Sequence, residues 1–106
     1  MGSERARRSE RLDPVRVVEA AELLKAMGHP LRLRLLSELR QTQLHVSALA
    51  ERLGVGQAVV SQQLRILRLH RLVEPVRAKR FVSYRLLEPT LRELLSCLSS
   101  LSKGTQ

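Results

Sequence analysis

Cysteine is almost absent from this chain. Cys97 is the only one in 106 residues, so no intrachain disulfide can form, in keeping with a reducing compartment. Aromatic residues are nearly as scarce, with no tryptophan and only Phe81 and Tyr84. That disfavours an aromatic-rich β-sandwich and leaves leucine to build a core by helix packing. No apolar run approaches the roughly 20 residues needed to span a bilayer. The opening MGSERARRSERLD has no apolar segment of the signal-peptide kind. The expectation is a cytoplasmic protein without membrane contact. Acidic residues are few: ten Asp and Glu against nineteen Lys and Arg give a net charge of +9. Such an imbalance calls for a polyanionic partner, with nucleic acid ahead of an anionic membrane surface.

Enzymatic chemistry has no visible foothold. There is no phosphate-binding glycine loop, no cysteine–histidine or serine–histidine constellation, and no cluster with metal-ligand spacing. His29, His45 and His70 fall in three separate segments. Glu4, Glu10, Glu19 and Glu22 read as exposed tail or helix acids rather than as an active-site pair. The chain is therefore expected to be no enzyme, with no cofactor and no metal.

What is present is enough for one small domain. Hydrophobic residues make up 43% of the chain, above what a disordered segment carries. Residues 1–13 read as a flexible basic arm, 14–101 as the folded domain and 102–106 as a flexible tail. Asp13 and Pro14 suit an N-cap and first helical position. Val17, Val18, Ala21, Leu24 and Met27 follow at helical spacing until Gly28-His29-Pro30 breaks the pattern. A second helix over about Leu31–Arg40 buries Leu31, Leu35, Leu36 and Leu39 and leaves Arg32, Arg34 and Arg40 to solvent. After a connector over Gln41–His45, Ser47 is a natural N-cap with Glu51 near the capping-box position. That helix runs from Ala48 to a glycine C-cap at Gly54. The turn Val55-Gly56-Gln57 leads into a helix from about Ala58 to His70, with Val60, Leu64 and Leu67 facing the core. Leu72–Val76 and Phe81–Leu86 read as a two-stranded hairpin with a basic tip, Arg77–Arg80, and with Pro75 on an edge strand. Pro89 opens a last helix to about Leu101, with Leu91, Leu94, Leu95, Leu98 and Leu101 on a broad apolar face.

The predicted fold is thus mainly α with a small β-hairpin, in the order of a winged helix-turn-helix. Three stretches sharpen this. Leu24–Leu36 (LKAMGHPLRLRLL) resembles the entry to the second helix of the ArsR/SmtB family of bacterial regulators. Val59–Arg68 (VVSQQLRILR) resembles that family's recognition helix. Leu72-Val73 with Arg80–Leu86 (RFVSYRL) resembles its wing. The resemblance covers roughly Ala20–Leu101. It implies a homodimeric transcriptional regulator, usually a repressor, whose dimer interface is built from the first and last helices.

From Gln62 to Arg85 the sequence holds seven cations against one acid, Glu74. A surface of this charge would follow a phosphate backbone. Gln57, Ser61 and Gln62 are the candidate base readers, since glutamine pairs with adenine and serine is permissive. Arg65 could reach guanine or phosphate, and Arg68 adds a cation to the same helix. Gln63 is either a further DNA contact or, as the resemblance suggests, a link from this helix to the dimer core. Arg77, Lys79 and Arg80 would meet phosphate or enter the minor groove. A dimer would set its two recognition helices about 34–36 Å apart on an inverted-repeat operator.

The family's metal sensors often carry cysteines at the start of the first helix of the helix-turn-helix, where this chain has His45 and Ser47. Its other known site uses Asp/His pairs on the last helix, which here has no histidine. The expectation is a regulator without either metal site. Cys97, set among leucines on the last helix, is the one candidate redox residue, although a buried, inert thiol is the commoner case. The alternative is a winged-helix protein-interaction module, or a DNA-binding subunit whose signal is sensed by a partner protein.

Overall fold

The computed structural model describes residues 11–87 and 89–104. The arm expected over 1–13 therefore lies mostly outside the described residues, as do the last two residues of the expected tail. Among the described residues, five helices and three short strands follow in the order α1 (Pro14–Met27), α2 (Pro30–Gln41), β1 (Leu44–His45), α3 (Val46–Leu53), α4 (Gln57–Leu69), β2 (Val73–Ala78), β3 (Phe81–Leu86) and α5 (Pro89–Gly104).

Local chemistry sets most of these boundaries. The Asp13 carboxylate accepts from the Arg16 amide at 2.8 Å and caps α1, with Pro14 just inside the helix. Gly28 ends α1, and the next helix starts two residues later because the His29 ring accepts from the Leu31 amide at 3.2 Å. Gly54 closes α3 in the left-handed conformation, at φ 68°. Glycine adopts that conformation without the steric cost a Cβ would add.

Four expectations change. The segment read as a connector contains β1, which pairs antiparallel with β3 through Leu44↔Tyr84 and His45↔Ser83. The wing is therefore the larger part of a three-stranded sheet in the order β1-β3-β2. Since β1 runs straight into α3, the helix starts at Val46 with His45 at the N-cap position, and no side chain caps it. Ser47, the expected cap, lies in the first turn; strand pairing overrides its local preference. The hairpin is also longer than expected. β2 continues through Ala78, and only Lys79-Arg80 form the turn. At the C-terminus α5 runs on to Gly104, beyond the Leu101 boundary read from the sequence. Pro75 does sit on an edge strand, β2.

The core lies where α2, α3 and α4 meet under the sheet. Leu35, Leu36, Leu39, Leu49, Val60, Leu64 and Leu67 are fully buried. Val73 and Leu86 close it from the wing, and Leu91 and Leu95 from α5. The α1 pattern is used differently. Ala26 and Met27 are buried, but Val17, Val18 and Leu24 of the expected apolar face are exposed, Leu24 by 58%. On α5, Leu98 and Leu101 are exposed as well. The helices α1 and α5 thus each carry apolar surface that the other described residues leave exposed.

Candidate nucleic-acid interface

Helix α4 is held from one side. Val60, Leu64 and Leu67 recur at i, i+4, i+7 and are fully buried, which fixes the rotation of the helix. The opposite line is Ala58, Gln62, Arg65 and Leu69, all exposed. Gln57, Ser61 and Arg68 are exposed beside it. Leu69, at the end of this outward line, is 76% exposed.

Gln63 stands apart from the other candidates. It is half-buried, and its Oε1 accepts from Nε of Arg32 on α2 at 2.8 Å. The same guanidinium donates through Nη1 to the Ala26 carbonyl at the end of α1, at 3.2 Å. Arg32, expected in solvent, is instead half-buried between three helices. Arg34 is exposed, as expected, and donates to the Leu53 carbonyl at the end of α3 at 3.2 Å. These contacts pin both helices of the helix-turn-helix to α2. For Gln63 the family resemblance hinted at such a role, while for Arg32 no sequence signal pointed to it.

The wing supplies the second part of the surface. Arg77, Lys79 and Arg80 are exposed at its tip, with Arg77 paired opposite Val82. Among the described residues none of these three, nor Arg65, Arg68 or Arg71, takes part in a salt bridge. Arg85 differs: it forms an ion pair with Glu74 on the neighbouring strand at 2.6 Å. The single acid of this region thus offsets one of its seven cations and leaves six. Lys79 and Arg71 hold positive φ, 55° and 58°, one at the wing tip and the other where α4 turns into β2. Both positions are ones that glycine fills at lower cost.

The His45 ring stacks at a tilt on Phe81 with centroids 5.1 Å apart, and its Nδ1 lies 3.4 Å from the Val82 carbonyl. Among the described residues no group of three or more His, Cys, Asp or Glu could hold a metal ion. Cys97 is exposed rather than buried among the leucines of α5, because the buried line of that helix runs through Leu91 and Leu95. No described helix is long and apolar enough to cross a membrane.

Residues 27–76 match the family described as a helix-turn-helix domain. A biofilm growth-associated repressor of Xylella fastidiosa is 39% identical over 78% of this chain and 73% of its own length. The regulator NmtR of Mycobacterium tuberculosis is 41% identical over 86% of this chain and 76% of its own. Among solved structures, the homodimeric winged helix-turn-helix DNA-binding domain of Mb0332 from Mycobacterium bovis superposes with a TM-score of 0.78. That match has 25% identity and covers 84% of this chain and 82% of the other.

Proposed function

The chain belongs to the ArsR/SmtB family of winged helix-turn-helix transcriptional regulators, and on that premise we propose that it is a homodimeric repressor that reads an inverted-repeat operator. The observation that carries this reading is the exposure of the α4 line and of the wing tip, which with Arg71 hold six cations outside any ion pair among the described residues. Gln57, Ser61, Gln62 and Arg65 read base edges, and Arg68, Arg77, Lys79 and Arg80 hold phosphate. Gln63 acts mainly from behind, fixing the helix through Arg32. The uncovered apolar faces of α1 and α5 support a dimer, as does the homodimeric state of the Mycobacterium bovis domain. This role requires no enzymatic activity and suits a protein of the cytoplasm.

The same reading places the signal outside the thiolate and histidine sites of metal-sensing relatives. Cys97, one exposed thiol per chain, is given no part in it. The test is selectivity for the promoter DNA upstream of the chain's own gene, compared with random duplex. Arg65→Ala and Ser61→Ala should each abolish that selectivity while circular dichroism and the oligomeric state stay as in the wild type. Retained selectivity in both variants would overturn the assignment of α4 as the reading helix.

A further inference from the structure

Phe81 is the only phenylalanine of the chain, and it is 63% exposed. Strand alternation accounts for its direction. Leu86 is buried and Tyr84 packs against the core, so Phe81, Ser83 and Arg85 turn to the opposite face of β3.

The ring is exposed but held. β3 is the central strand, and Ala78↔Phe81 is the last pair before the Lys79-Arg80 turn. Pairing of His45 with Ser83 sets His45 on the diagonal to Phe81, where the two rings meet. His45 runs directly into α3, so the brace comes from the helix-turn-helix itself.

The surroundings are cationic. Residues 77–85 contain no acid, and among the described residues Arg77, Lys79 and Arg80 take part in no salt bridge. The faces given to the dimer lie elsewhere. Helix α1 packs on α2 and α4, and β3 rises about 17 Å from Phe81 to Leu86, where the chain leaves for α5. A flat apolar ring among unpaired cations suits a polyanion whose interior is itself stacked and apolar. Phenylalanine inserted at a base step from the minor groove unstacks the step and kinks the duplex.

We propose that Phe81 is such a wedge, entering the minor groove beside the phosphates held by Lys79 and Arg80 and bending the DNA. The inference rests on the reading of α4 and the wing as a DNA surface, and goes beyond it. Sites are also selected by how easily they deform, at positions that no polar side chain reads. Pyrimidine–purine steps, which kink readily, are favoured under the wing. Bracing by His45 lowers the cost of ordering the ring on binding.

The test uses the full chain and two end-labelled duplexes of equal length and base composition. One has every purine on the same strand and therefore no pyrimidine–purine step; the other carries TA and CA steps throughout. Energy transfer between the ends should show a bend of roughly 20–90° in the second duplex. Its affinity should be about tenfold higher, a difference of the size that deformation supplies. Phe81→Ala should abolish bend and preference alike. The slope of log K against log[salt] should stay the same, since no cation is lost. Phe81→Leu, which keeps an apolar wedge, should keep most of the bend. Fluorophenylalanine at this single position gives one fluorine signal, whose solvent isotope shift should vanish on the second duplex.

A straight duplex under the wild-type protein overturns the proposal, as does a bend that survives in a folded Phe81→Ala. So does a fluorine signal that still senses water on bound DNA, which would leave the ring to a protein partner. Thermal melts show that each variant folds, and the fluorine signal needs no variant. Promoter selectivity is measured apart. Its loss with the bend intact removes the base-reading assignment alone, and selective binding to straight DNA removes the wedge alone.

Discussion

Arg32 Nε donates to Gln63 Oε1 at 2.8 Å across 31 residues of sequence. Through its second bond, to the Ala26 carbonyl, the guanidinium ties the end of α1, the start of α2 and the middle of α4. A hydrogen bond to a charged group contributes about 1.5–3 kcal/mol, and an orphaned partner adds the cost of its desolvation.

Arg32→Met should therefore lower unfolding free energy by about 2 kcal/mol, read from urea melts. Operator affinity should fall further than random-duplex affinity, because the reading helix loses its orientation while the cations stay. In a double-mutant cycle with Gln63→Leu the two effects should couple by about 0.5–3 kcal/mol. Strict additivity would show that the bond positions nothing.

Salt dependence should separate the wing cations. Arg77→Ala and Arg80→Ala should each reduce the slope of log K against log[salt] by about 1 and weaken all duplexes alike. Arg85→Ala should change the slope less, since Arg85 is engaged by Glu74. Glu74→Gln should tighten binding to random duplex by releasing that arginine. Fluorescence anisotropy across a salt series distinguishes these cases, and identical slopes for Arg77→Ala and Arg85→Ala would contradict the pairing.

Backbone conformation predicts opposite signs at two kinds of turn. Gly54→Ala, at φ 68°, should destabilise by about 1 kcal/mol. Lys79→Gly and Arg71→Gly, at φ 55° and 58°, should be neutral or stabilising by up to about 1 kcal/mol, since strain relief outweighs the added chain entropy. Lys79→Gly should still bind DNA more weakly, having lost a cation. Thermal melts and binding isotherms on the same samples show whether stability and affinity move apart.

The exposed apolar face of α1 gives a prediction about assembly. Leu24→Glu should convert the dimer to monomers without unfolding them, because Leu24 is 58% exposed in the single chain. Size-exclusion chromatography with light scattering reads the mass. Loss of helicity in the variant would mean instead that Leu24 packs within its own chain.

Much of this fold can be read from short-range signals. Asp13 and Gly54 announce helix ends because capping is local chemistry. Val60, Leu64 and Leu67 announce the buried side of α4 because helical periodicity is local too. The two residues of β1 carry no periodicity, and their pairing with β3 depends on a contact nearly forty residues away. That pairing also displaced the Ser47 cap. At the candidate interface, exposure of Gln57, Ser61, Gln62 and Arg65 followed from the same periodicity. The Arg32–Gln63 bond and the Arg85–Glu74 pair did not, since side-chain reach between elements leaves no trace in spacing. The apolar residues of α1 were legible as a face, but their partner is not part of this chain's own core.

The direct passage from β1 into α3 sets a limit on which DNA sites the protein can tolerate. With no loop between His45 and Val46, the sheet cannot swing independently of the helix-turn-helix. On the proposed reading, the distance between bases read by α4 and phosphates touched by the wing is then a constant of the protomer. A base pair inserted within a half-site would break one set of contacts outright, whereas one inserted between half-sites would test only how the two protomers are joined. Operator variants should thus divide into two classes, intolerant inside each half and graded at the centre of symmetry.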